Sequence, residues 1–207
     1  MSVKYTNIET IDNTWDFMKI CIFGSGSNNI NEKYLNEGFI LGKNIVKRGH
    51  SLVFGGGSNG MMGAVAKGAH CLDGDILAII PQWMIEFEDL FNESGRVIYT
   101  DSMDERKKLF EENSDAYIIT PGGIGTLDEF FEVMALKKLN ITNNAIVILN
   151  INNFFNPLLS LIEFMVDENV IPEDNLKIFH VVDNIDEALD YIEDYDAEHV
   201  EKYETHV

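Results

Sequence analysis

A chain of 207 residues, 45% hydrophobic and 24% charged, has the make-up of a globular protein with room for one sizeable core. Its 15 basic and 35 acidic residues leave a formal charge of −20, which excludes the positive footprint that a nucleic acid or an anionic membrane surface needs. Two cysteines, Cys21 and Cys71, and five histidines without ligand spacing give neither a disulfide framework nor a metal centre, and no apolar run reaches the length of a membrane span.

Residues 1–17, MSVKYTNIETIDNTWDF, lack the basic-then-apolar pattern of a signal peptide and precede any strand-like run. They are read as an N-terminal extension and the protein as cytoplasmic, with one domain over 18–195 and an acidic tail over 196–207. Apolar runs at 19–23, 51–54, 76–80, 96–99, 116–119, 145–149 and 178–182 are the expected strands. Helical spacing fills 31–48, 58–70, 103–112, 126–139, 156–168 and 184–195 between them. Runs such as AYIIT and AIVIL lack in-out alternation, as strands covered on both faces do. The alternation of strand and helix predicts an α/β fold, a doubly wound and mainly parallel sheet with helices on both faces.

Three glycine-rich stretches follow expected strands: GSGSNN at 24–29, GGGSNGMMG at 55–63 and PGGIGT at 121–126. Ligands of open α/β sheets bind beyond the carboxyl ends of the strands. Glycine there allows positive φ and close backbone approach, and successive amides leading into a helix form an anion cradle. Tight strand-to-helix turns alone would also use glycine. Asn29 stands where the dinucleotide fingerprint needs its third glycine, and no Gly-Lys-Ser/Thr occurs, so NAD and ATP are disfavoured. A mononucleotide or sugar phosphate fits better. Thr126 and Glu129 of TLDE also read as a capping box, which would give Glu129 a structural task. Arg106, Lys107 and Lys108, placed early in a helix capped by Ser102 or Asp104, suggest either an anion site or a solvated face paired with Glu111 and Glu112.

PGGIGTLDE at 121–129, with MDERK at 103–107, resembles the LONELY GUY family of cytokinin riboside 5′-monophosphate phosphoribohydrolases. Its hallmark Pro-Gly-Gly-x-Gly-Thr-x-x-Glu is matched at every fixed position, and the likeness runs from about Lys19 to Ile192. The resemblance implies a Rossmann-like fold, a homodimer, no cofactor, and hydrolysis of a nucleoside 5′-monophosphate to free base and ribose 5-phosphate. By position it implies Arg106 and Glu129 as the catalytic pair. It also implies a phosphate cradle of Gly122, Gly123, Ile124, Gly125 and Thr126, with Lys107, Glu88, Met103, Ser27, Gly56 and Gly57 as further substrate contacts. Two departures stand out: the family's Cys-Gly-Ser-Ser loop is GSGS here, aligning only Ser27, and the histidine of its second motif is Asp104. The old lysine decarboxylase label of some relatives finds no lysine here in a recognisable pyridoxal phosphate setting. A non-hydrolytic carrier, like the related molybdenum cofactor carriers, is the alternative reading. An NAD oxidoreductase has only the fold behind it.

Overall fold

The computed structural model describes residues 17–93, 95–197 and 203. The expected extension at 1–17, apart from Phe17, and most of the tail at 196–207 lie outside the described residues. Seven strands form one sheet: β1 (Lys19–Phe23), β2 (Ser51–Phe54), β3 (Ile76–Pro81), β4 (Arg96–Thr100), β5 (Ala116–Ile119), β6 (Ala145–Leu149) and β7 (His180–Val182). Their order is β4-β3-β2-β1-β5-β6-β7 and every pairing is parallel. The chain winds one way from β1 to β4 and the other way from β5 to β7. The switch point therefore lies between β1 and β5, where ligands of such sheets bind. Six α-helices among the described residues complete the fold: α1 (Glu32–Lys47), α2 (Gly60–His70), α3 (Met103–Glu112), α4 (Ile124–Lys138), α5 (Asn156–Asp167) and α6 (Ile185–Glu193).

The inner strands β1, β2, β3, β5 and β6 carry apolar side chains on both faces because both are covered, whereas the edge strand β4 leaves Val97 and Tyr99 exposed. Ile20 and Ile22 pack with Leu41 and Ile45 of α1, Met61 and Val65 of α2, and Leu189 of α6. The intervening Cys21 and Phe23 face Phe110 of α3, Phe130 of α4 and Ile162 of α5. The period of two along each inner strand thus sorts residues between two cores rather than between core and water.

Helices α1 and α2 approach through small residues. A Cβ on Gly42 would sit 1.9 Å from the Val65 carbonyl oxygen, and one on Gly68 would sit 2.1 Å from that of Phe39. The last helix is held by charge. Arg48, just past α1, reaches Asp186, Asp190 and Glu193 at 3.0, 2.5 and 2.8 Å, and buried His50 meets the other Glu193 oxygen at 3.0 Å. Among the described residues no helix is long and apolar enough to cross a membrane.

Several expected elements are corrected in extent, among them α2, which starts at Gly60 rather than 58. The seventh strand starts at His180 rather than 178, because a 3-10 turn at Glu173–Lys177 takes up the approach. A second 3-10 turn, Gln82–Glu86, was not expected. Helix α4 begins at Ile124, two residues before the expected start, and that shift changes what Glu129 does.

Candidate active site

Strands β1, β2 and β5 end at one edge of the sheet, and each runs into a glycine-rich loop. Between those loops, the segment after β3 and the start of α3 lies a cleft of about 340 Å³. Residues 24–27 form one side of it, with Gly123, Gly125 and Thr126 beside them. Glu88, Arg106 and Glu129 supply its charge, and Met62, Met84 and Met103 its apolar wall.

The loop after β5 leads into α4 through Gly123 at the N-cap position, with no side chain capping it. Leu127 is the first residue of this turn whose N–H finds a helical acceptor, the Gly123 carbonyl at 3.1 Å. Among the described residues the amides of 122–126 meet no protein acceptor. They make up an unfilled donor set at the positive end of a long helix. A Cβ on Gly123 or Gly125 would meet nothing within 4 Å, so internal packing does not call for glycine there. What glycine provides at these positions is open space in front of the amides. Gly122 differs, since a Cβ there would lie 2.1 Å from Thr126 Oγ1. Of the three glycine-rich loops among the described residues, the second alone uses left-handed backbone, at Gly56 (φ 86°) and Gly60 (φ 63°).

Because α4 starts at Ile124, Thr126 lies inside its first turn and caps nothing, and the capping-box reading of Glu129 does not hold. Glu129 is 8% exposed and lines the cleft. No group among the described residues donates a hydrogen bond to its carboxyl. Burial pushes its pKa up to about 7, the Arg106 charge pulls the other way, and Asp128 and Glu88 add to the rise. The carboxyl is therefore poised near neutrality, as an acid-base or charge-stabilising group must be.

Arg106 comes from α3, whose start is set by Ser102: its Oγ accepts from the Glu105 N–H at 3.1 Å. Its guanidinium is buried and fixed by two carbonyls, one within β3 and one just past β2. Nε–H donates to Ile79 O at 3.1 Å and Nη2 to Gly55 O at 3.3 Å. Nη1 faces the sulfurs of Met84 and Met103, both at 3.9 Å. Gly55 must lack a side chain for this, since a Cβ would stand 2.3 Å from Nη2. Asp104 is exposed on the first turn of α3 and is not part of the cleft lining.

The remaining expected contacts divide. Ser27, Glu88, Met103, Gly123, Gly125 and Thr126 line the cleft with the two central residues. Gly57 stands beside Glu88, whose Oε2 would be 3.2 Å from a Cβ there. Gly122 faces an adjoining hollow with Tyr34 and Phe154, Gly56 faces another beneath β4, and Ile124 is exposed. Lys107 turns away from the cleft: its Nζ lies 3.1 Å from Glu132 and 3.6 Å from Asp128. Lys108 pairs with Glu112 at 3.5 Å on the outside, so the solvated-face reading fits it alone. Met62 and Met84 line the site without having been singled out. Met62 lies in the second glycine stretch, and Met84 in the segment 83–91, whose variable sequence was expected to shape the base pocket. Among the described residues no cluster of His, Cys, Asp or Glu could hold a metal ion.

A family model described as "Possible lysine decarboxylase" matches residues 62–192. The chain is 35% identical over 179 residues to a cytokinin riboside 5′-monophosphate phosphoribohydrolase of Arabidopsis thaliana, covering 86% of this chain and 78% of that protein. One from Oryza sativa subsp. japonica is 33% identical over 183 residues, 88% of this chain and 76% of that one. Among solved structures, the Moco carrier protein of Chlamydomonas reinhardtii aligns with TM-score 0.64 at 21% identity, over 85% of this chain and 95% of that one. The molybdenum cofactor binding protein of Rippkaea orientalis aligns with TM-score 0.65 at 23% identity, over the same 85% and 95%. At such identity these two show a common fold and nothing about ligands.

Proposed function

Because the chain belongs to the LONELY GUY family, the group of those phosphoribohydrolases, we propose that it hydrolyses the N-glycosidic bond of a nucleoside 5′-monophosphate. The products are the free base and ribose 5-phosphate. The observation that carries this reading is Glu129: a buried carboxyl without a hydrogen-bond partner among the described residues, beside Arg106 and next to an unfilled run of amides.

The phosphate takes the amides of 122–126, which fixes the ribose within the cleft and orients its anomeric carbon. As the C–N bond lengthens, its electron pair leaves with the base and positive charge builds on the sugar ring. The Glu129 carboxylate stabilises that charge and aligns a water. The water oxygen bonds to the anomeric carbon, its proton is released, and the departing base takes up a proton. Arg106, held rigid by the Ile79 and Gly55 carbonyls, contacts the nucleotide through its remaining N–H groups. It is too basic to be the proton donor.

The finer substrate is an adenine ribotide, AMP or an N6-alkylated relative, with the methionine wall against the base. The same reading carries a homodimer. Supporting it are exposed Phe131 on α4 and Leu161 and Phe164 on α5, helices that cover one face of the sheet. A monomer in sedimentation equilibrium would remove this part. A cytoplasmic setting goes with the two unpaired cysteines and is checked by cell fractionation.

The test is release of free base from a panel of monophosphates that includes AMP and N6-isopentenyl-AMP, by wild type and Glu129→Gln. Turnover by wild type and its loss in the variant are expected. If wild type binds the panel without releasing base, the protein is a carrier and not a hydrolase.

A further inference from the structure

Successive residues of a helix point about 100° apart around its axis. Arg106 and Lys107 therefore leave α3 in different directions. Arg106 faces the cleft, and Lys107 faces α4. Its ammonium lies 3.1 Å from Glu132 Oε2 and 3.6 Å from Asp128 Oδ2. These two acids sit one turn apart on α4 and flank Glu129 in sequence. The lysine lines a narrow crevice behind Glu129, together with Phe23, Phe110 and Glu132. The α3 end of this bridge adjoins Arg106, and the α4 end adjoins Glu129.

We propose that Lys107 is a positioning residue, whose ion pairs with Glu132 and Asp128 hold α3 against α4 and so keep Arg106 and Glu129 in register across the cleft. This rests on the hydrolase reading above and assigns Lys107 a place in it other than a substrate contact. The bridge contributes little to stability, because Asp128 and Glu132 are about half exposed and such pairs are screened. Its effect is on geometry and on the field at Glu129. The charged groups facing that carboxyl are Arg106 and Lys107 from α3, Asp128 from its own helix and Glu88 from the segment after β3, with the Cys21 thiol of β1 beneath. Lys107 favours the carboxylate and Asp128 disfavours it, so removing them acts in opposite directions.

Three variants, Lys107→Met, Asp128→Asn and Glu132→Gln, test this by two readouts. The Glu129 carboxyl, followed by ¹³C NMR and assigned with Glu129→Gln, is expected to titrate higher in Lys107→Met and lower in Asp128→Asn, each by about half a pH unit. The acid limb of kcat/KM moves the same way. In steady state, Lys107→Met and Glu132→Gln lower kcat roughly three- to tenfold, with KM for the monophosphate within about twofold of wild type. A KM raised roughly tenfold in Lys107→Met, with the Glu129 titration unmoved, makes Lys107 a substrate contact and overturns the proposal. Should Lys107→Met not fold, unchanged kcat in Glu132→Gln overturns it equally. If wild type releases no base from any monophosphate, the hydrolase reading fails, while the NMR titration still reports whether the bridge acts on Glu129.

Discussion

At Glu129 position alone changes the chemistry of a side chain. The carboxyl is buried, has no hydrogen-bond donor among the described residues, and holds its proton up to about pH 7 although Arg106 opposes this. The consequence for folding follows by linkage. In the unfolded chain the group ionises in the ordinary carboxyl range, so the folded state binds the proton more tightly between there and about pH 7. The stability that this group lends is therefore complete at low pH and is lost as pH rises through about 7. Glu129→Gln, which removes the titration, is expected to unfold at higher denaturant than wild type at about pH 8, by a few kcal/mol, with the advantage gone by about pH 4. Urea melts at the two pH values check this, and an offset independent of pH would refute it. Much of this residue's place was legible beforehand, since PGGIGTLDE put it beyond a strand end. Whether it capped the helix was not. That depends on the first helical residue, and the end of β5 and the Gly123 N-cap set it three positions earlier than a Thr126 cap would. The side Lys107 faces was equally hidden, because a matched motif carries residue types but not the angle each takes around a helix.

Elements were easier to read than their ends. The seven strands and six helices of the described residues lie close to where the apolar periods placed them, because the inner strands bury both faces and most helices only one. What period does not carry is how closely two helices approach. Gly38 and Gly42 on α1 look like weak points of a helix until they are seen against α2, where Gly42 all but touches the Val65 carbonyl. Side chains there would separate the helices and open the core around Leu41, Ile45 and Val65. Gly42→Ala is accordingly expected to cost about 2–4 kcal/mol, since backbone rather than a flexible side chain must yield. Gly125→Ala serves as the control. It places the same methyl in the first turn of α4 with nothing within 4 Å, and helix propensity alone favours it by up to about 1 kcal/mol. Chemical denaturation of the two proteins should shift in opposite directions. Equal losses would mean that the close α1–α2 approach is not what makes Gly42 glycine.

Taken whole, the molecule sets two fields against each other at its site. The formal charge of −20 repels a phosphate at long range. The cleft itself does little to reverse that, since Arg106 faces two acids, Glu88 and Glu129, and Lys107 is neutralised on α4. Attraction comes instead from the amides of 122–126 and the helix behind them, which act only at contact distance. The charge was plain from composition, but its relation to the site depends on where each charged side chain lies. Salt separates the two fields. Raising ionic strength from about 10 mM to about 150 mM shortens the screening length from roughly 30 Å to roughly 8 Å. That removes the distant repulsion and leaves hydrogen bonds at contact intact. The KM for a monophosphate is thus expected to fall severalfold over that range, opposite to the behaviour of a phosphate site built from lysines and arginines. Steady-state kinetics in sodium chloride, at constant pH, measure this directly. A KM that rises with salt would mean that cationic side chains, and not backbone amides, hold the phosphate.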